Sequence, residues 1–255
     1  MVDAVANARA RYAALSALFD AGTRQHLLDR ELAPGWRCLE VGAGGGSIAR
    51  WLGQRVGPTG RVIATDVDIR FLNRARRENV EVLRHDITRD PVPLASFDLV
   101  HARMILIHLP ERDAVLRKLA GALKRGGWLV CEEFDAVSAG PDPAISPHEI
   151  LLKAHSAMRR LSCDRRVDGR YGRLLFGRLR ELGLTELGAD GRISMVQPGS
   201  PAASLLRASY ELRRTAMIEA GYITEAEFDA DLARMETADF IMPAPILWTV
   251  WGRRR

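Results

Sequence analysis

Glu40 stands two positions ahead of three alternating glycines, Gly42, Gly44 and Gly46, and Asp66 follows the last of them by twenty residues. Glycine at alternate positions strips side chains from a turn and allows left-handed backbone, so a ligand can approach the main chain closely. A carboxylate at the end of the next strand can accept hydrogen bonds from the two hydroxyls of a ribose. With Ala43 inside the turn and Val67 beside the acid, these residues have the makings of a nucleotide-like binding site.

Spacing narrows the ligand. A dinucleotide fingerprint GxGxxG begun at Gly42 needs its third glycine at position 47, where Ser47 stands instead. An NAD-dependent oxidoreductase is disfavoured on that count, although Asp66 suits either cofactor. Asp86 and Ile87 follow a third apolar run and offer an acid and an apolar side chain to a base.

A second set of residues could move protons. His101 lies just beyond the fourth apolar run, and Glu132, Glu133 and Asp135 close the fifth. Both positions fall on the side where ligands enter an open α/β sheet. His148 and His155 are two helical turns apart and share a face. The candidate bases are therefore His101, Glu133, His148 and His155, with His101 also a candidate for cofactor contact. Arg103 can pair with a ligand carboxylate or form a structural salt bridge. His108, near Pro110, is expected to pack under the next helix. Tyr12, Tyr210, Trp248 and Trp251 read mainly as core aromatics, and the two tryptophans, three apart on a strand, must face opposite sides.

These residues need a scaffold. Apolar periodicity predicts two short helices over 3–32 with a break near Gly22, then strands at 37–41, 61–65, 80–83, 97–101 and 128–132. Helices are expected between them at 47–56, 69–77 and 111–123. The runs are continuously apolar, as expected for a parallel sheet covered on both faces. Beyond residue 135, helices are predicted at 149–161, 171–182, 202–220 and 224–238, with strands at 188–197 and 243–252. The domain reading is an N-terminal helical cap (1–35), a cofactor-binding core (36–135), a helical lid insertion (136–170), core continued (171–197), a second lid insertion (198–239), and a last strand with its tail (240–255).

The glycine turn with Glu40, Asp66 and Asp86 resembles the class I S-adenosylmethionine-dependent methyltransferases, of the ubiquinone/menaquinone methyltransferase-like small-molecule type. The likeness continues through Phe97-Asp98-Leu99-Val100-His101-Ala102-Arg103 and Leu106-Ile107-His108-Leu109-Pro110. Leu123-Lys124-Arg125-Gly126-Gly127 looks like that family's LKPGG turn, with Arg125 where proline is usual.

The resemblance implies a Rossmann-like seven-stranded α/β sheet with an antiparallel last strand, helices on both faces and helical lid insertions. It also implies that Glu40, Gly42, Ala43, Gly44, Gly46, Asp66, Val67, Asp86, Ile87, His101 and Arg103 contact S-adenosylmethionine. Metal-dependent relatives take a ligand from just after the fourth strand. Here that place holds His101 and Arg103, so no metal is expected. The expected function is methyl transfer to an oxygen, carbon or nitrogen of a small, largely apolar metabolite, in bacterial secondary metabolism. The alternative is a protein of the same fold that binds the cofactor without methylating.

Composition sets outer bounds. The chain has 255 residues, 47% hydrophobic and 27% charged, as in ordinary globular proteins. Lys118, Lys124 and Lys153 are the only lysines, so arginine supplies nearly all the positive charge behind the net +5. That charge is spread along the chain, and no nucleic-acid partner is expected. Absence of a signal sequence or an apolar span predicts a cytoplasmic enzyme without membrane contact. Its partners would be a small-molecule substrate and, at most, a second copy in a homodimer. Cys38 and Cys131 lie in apolar runs and are expected in the core.

Overall fold

The computed structural model describes residues 2–138 and 152–255, and the chain divides into two compact units. The larger holds residues 20–134, 170–192 and 247–255, and the smaller holds 1–19, 135–169 and 193–246.

Seven strands form the sheet of the larger unit: β1 (Arg37–Val41), β2 (Arg61–Asp66), β3 (Val80–Arg84), β4 (Phe97–Arg103), β5 (Leu123–Asp135), β6 (Thr185–Arg192) and β9 (Ile246–Arg253). Their order is β3-β2-β1-β4-β5-β9-β6. β1 through β5 pair in parallel with one another, and β9 runs antiparallel to β6. This is the Rossmann-like sheet expected from the resemblance.

Alternation along each strand builds two apolar layers. Leu39, Val41, Val100, Ala102, Leu129 and Cys131 face α3 (Arg112–Ala122) and α5 (Tyr171–Glu181), whose Leu116, Leu119, Leu175 and Leu179 are buried against them. Cys38, Leu99, Val130 and Val62 face α2 (Ser47–Val56) and Leu27 of α1 (Val2–Leu28). Burying a leucine of this kind contributes about 1.5–3 kcal/mol. Trp248 joins the first layer and Trp251 the second, as their spacing requires.

Several elements differ from expectation. The two helices expected over 3–32 are one helix, α1, uninterrupted at Gly22. The missing Cβ there makes room for Arg192, whose guanidinium would lie 1.8 Å from it. Residues 69–77 form two 3-10 turns, Ile69–Phe71 and Asn73–Ala75, rather than a helix. The Asp68 side chain accepts the Arg70 amide and starts the first turn, and Arg77 bridges back to Val80 soon after the second. β5 begins at Leu123, five residues early, because Gly126 and Gly127 lie inside the strand. Gly126 has φ +78°, and a Cβ on Gly127 would meet the Phe97 carbonyl at 2.9 Å.

In the smaller unit, α4 (Lys153–Asp164), α6 (Pro201–Glu211), α7 (Arg214–Glu219) and α8 (Glu225–Arg234) share a core containing Tyr210, Met217 and Phe228, with Leu18 of α1 packed on it. The single helix expected over 202–220 breaks at Arg213, whose amide bonds the Tyr210 carbonyl three residues back. The strands expected at 188–197 and 243–252 each divide. β7 (Met195–Val196) and β8 (Met242–Pro243) make a separate two-stranded sheet. No described helix is long and apolar enough to cross a membrane.

Candidate cofactor site

The glycine turn connects β1 to α2. Gly42, Gly44 and Gly46 adopt φ of +64°, +53° and +76°, which accounts for glycine at alternate positions. A Cβ on Gly42 would fall 1.9 Å from Ile105 Cδ1. The Ala43 amide donates to the Thr65 carbonyl at 2.9 Å, tying the turn to β2. Asp66 completes the tie: Oδ2 accepts the Gly44 amide at 2.9 Å and Oδ1 the Asp68 amide at 3.0 Å. Each oxygen keeps a second lone pair with which to accept a ligand hydroxyl.

Val67, next to Asp66, is 59% exposed, an open apolar surface beside a carboxylate. Asp86 follows β3, where Oδ1 accepts the Thr88 hydroxyl at 2.6 Å and the Thr88 amide at 3.0 Å. These bonds hold its carboxyl below the usual range. Ile87 beside it is buried. The glycine turn, Asp66 with Val67, and Asp86 with Ile87 thus follow the ends of three adjacent strands, β1, β2 and β3.

Glu40 has a different setting from the one expected. It is buried, and Oε2 lies 2.7 Å from His101 Nδ1 on the adjacent strand β4. Oε1 has no hydrogen-bond partner among the described residues. His101 is wholly buried, and its Nε2 lies 3.3 Å from Glu132 Oε2 of β5. Glu132 also accepts the hydroxyls of Thr23 at 2.6 Å and Thr249 at 2.8 Å. Glu40, His101, Glu132 and Thr249 therefore form a buried polar row across β1, β4, β5 and β9.

Burial alone would lower the His101 pKa, but the carboxylates on both sides raise it to about 9. Burial alone would raise that of Glu132, but the imidazole and the Thr23 hydroxyl bring it down to about 2. Arg103 is used structurally, donating to Thr23 Oγ1 at 2.9 Å and Asp20 Oδ1 at 3.0 Å. The salt-bridge reading of Arg103 is the one seen.

Glu133 points to the opposite sheet face. Its Oε1 accepts the amides of Ile105 at 2.9 Å and Leu106 at 2.6 Å, and Oε2 is buried without a partner among the described residues. Desolvation pushes its carboxyl up to about 8 against the pull of those amides. It thus caps the segment after β4. His155 belongs to the smaller unit, with Nδ1 3.3 Å from the Tyr210 hydroxyl. Burial, then the nearby Arg159, lowers its pKa. His148 lies outside the described residues. His108 is exposed rather than packed under α3. Cys38 and Cys131 are fully buried. Among the described residues, no group of three or more histidine, cysteine or acidic side chains is arranged to hold a metal.

Thr23, Thr249, Asp20 and Ile105 are the contributors that sequence reasoning missed. The two threonines lie 109 and 117 residues from Glu132, and nothing local marks them.

Residues 39–131, from β1 into β5, match the methyltransferase domain family. Over this core the chain is similar to methyltransferases. An uncharacterised methyltransferase of Schizosaccharomyces pombe is 30% identical over 133 residues, covering 47% of this chain and 48% of that protein. A ubiquinone/menaquinone biosynthesis C-methyltransferase of Pseudomonas putida is 32% identical over 108 residues, covering 39% and 42%. The chain thus spans under half the length of these two relatives. Among solved structures, the Haemonchus contortus phosphoethanolamine N-methyltransferase 2 in complex with phosphomonomethylethanolamine and S-adenosylhomocysteine superimposes with a TM-score of 0.56 at 14% identity. That match covers 88% of this chain and 50% of the other, and shows the shared fold.

The residues at these strand ends fit S-adenosylmethionine. The turn has left-handed backbone at three glycines, Asp66 ends β2, Asp86 follows the neighbouring β3, and Glu40 Oε1 has no hydrogen-bond partner among the described residues. Glu40 and the glycine turn would hold the methionine portion, Asp66 the ribose, and Val67, Asp86 and Ile87 the adenine.

Proposed function

We propose that the protein transfers a methyl group from S-adenosylmethionine to an oxygen, carbon or nitrogen of a small, largely apolar metabolite. The observation that carries this reading is the bond from the Gly44 amide to Asp66, which joins the glycine turn to the ribose-binding acid in one rigid unit. When bound, the cofactor supplies an activated methyl group together with its own leaving group. The protein's share is placement and exclusion of water. Asp66 and the turn fix the cofactor's position, and Ile105 closes over Gly42.

Among the candidate bases, His101 and Glu133 are engaged inside the core, so neither is free to take a proton from an acceptor that needs to lose one. An apolar acceptor is supported by the core's likeness to the quinone-pathway C-methyltransferase. The test is calorimetric binding of S-adenosylhomocysteine, followed by labelled methyl transfer across a panel of phenols, quinones and amines. Binding with label transfer supports the proposal. Binding without S-adenosylhomocysteine formation on any acceptor would favour a non-methylating protein of the same fold.

A further inference from the structure

The His101 imidazole is bracketed by carboxylates, Glu40 from β1 at 2.7 Å and Glu132 from β5 at 3.3 Å. It has no exposure to solvent. Arg103 on β4 and Asp20 on α1 are charged neighbours bonded to each other, and a cavity beside Glu132 and Thr249 is also lined by His26 of α1 and by Asp190 and Arg192 of β6. Thr23 of α1 and Thr249 of β9 both donate to Glu132, so neither can donate the same proton to the imidazole. Both neighbours of the ring are therefore acceptors.

A neutral imidazole has one N–H and would turn a lone pair toward one carboxylate, whereas the imidazolium donates to both. A lone pair facing a buried carboxylate is costly. The raised His101 pKa and lowered Glu132 pKa agree with this arrangement. Of the two carboxylates, Glu40 is the one that stands two residues before Gly42 and has an oxygen without a hydrogen-bond partner among the described residues.

We infer that His101 is a positioning residue for the cofactor. As an imidazolium it grips Glu40 Oε2, leaves Oε1 to receive the cofactor's ammonium, and so makes cofactor affinity depend on the charge of a residue that the cofactor never touches. Glu132, fastened by Thr23 and Thr249, anchors the strut from the far side. This inference rests on the glycine turn being the S-adenosylmethionine seat.

The test uses S-adenosylhomocysteine binding by calorimetry from pH 6.5 to 10 on the full chain and on His101→Gln. Glutamine is neutral and can donate to only one of two facing carboxylates. Loss of one charge-assisted hydrogen bond weakens binding by about tenfold at pH 7. The wild-type advantage should shrink above pH 9. Comparing the two proteins at each pH cancels titration of the ligand's own amine. Glutamine that merely filled space would lower thermal stability and leave affinity and its pH profile unchanged.

Nitrogen-15 histidine spectra of the ligand-free wild type give a second readout, which also serves if His101→Gln fails to fold. A doubly protonated ring at pH 7.5, titrating near 9 and shifted down in Glu132→Gln, supports the inference. A singly protonated ring at pH 7.5 overturns it, as does equal affinity of wild type and His101→Gln across the range. If the wild type itself binds no S-adenosylhomocysteine, the cofactor reading has failed and the inference falls with it. Binding by the wild type with no change in the variant removes the inference alone.

Discussion

Ile105 lies across Gly42 so closely that a Cβ at position 42 would sit 1.9 Å from its Cδ1. Gly42 also has φ +64°, so alanine there meets steric and backbone strain together. Gly42→Ala should lower stability by about 1–3 kcal/mol and abolish measurable S-adenosylhomocysteine binding. Adding Ile105→Ala should recover part of the stability, because it relieves the contact but not the φ. Urea denaturation of both variants checks this, and full recovery in the double variant would show that φ contributes nothing.

Asp66 joins the turn to β2 through Oδ2, which accepts the Gly44 amide, while its Oδ1 accepts the Asp68 amide. Asp66→Asn keeps its shape but turns an NH2 toward one of the two amides. Cofactor affinity should fall at least about tenfold, the scale of one charge-assisted hydrogen bond, with unfolding only mildly affected. Calorimetry and thermal melts read the two effects separately.

Glu133 should leave a signature in the pH dependence of stability. Its pKa is about 8 in the folded protein and near 4.5 unfolded, so the folded state holds a proton that the unfolded state has lost between those values. Stability from this group is therefore fully present below pH 4.5, declines as pH rises and levels off above 8. Glu133→Gln mimics the neutral acid and lacks this decline. Its stability relative to wild type should rise steadily from pH 5 to 8, as chemical denaturation at several pH values would reveal. A constant offset would mean that Glu133 is ionised throughout.

Glu132 is anchored by two hydroxyls from distant parts of the chain. Thr249→Val removes a donor to a buried carboxylate and should cost about 1–3 kcal/mol. Because Glu132 is held near pH 2, its contribution is present above about 4.5 and is lost as pH falls toward 2. The variant should therefore be hurt most near neutrality and converge on wild type under acid. Denaturation curves at pH 7 and pH 3 decide it.

The glycine turn was legible because its information is local: glycine spacing, an acid at a strand end, and a second acid twenty residues on all belong to consecutive strand–turn units. Trp248 and Trp251 on opposite faces followed from strand geometry alone. His101 and Glu133 were found as chemically interesting residues, but their surroundings were not. The β1-β4-β5 order places two carboxylates around one imidazole, and the segment after β4 delivers two amides to Glu133. Neither arrangement is written within ten residues of the side chain concerned. The same holds for Gly22, a helix breaker on local grounds, which stays helical because Arg192 takes the space its side chain would fill.

β9 is the last of the seven sheet strands to be synthesised, yet it lies between β5 and β6 and supplies tryptophans to both apolar layers. Until residues 246–253 leave the ribosome, β6 lacks its antiparallel partner and β5 presents an unpaired edge. The five parallel strands that carry the glycine turn are all made before β9, so in that interval their flank is an open strand edge. A chaperone that shields strand edges would act in that interval, and loss of β9 would be felt first as aggregation during synthesis.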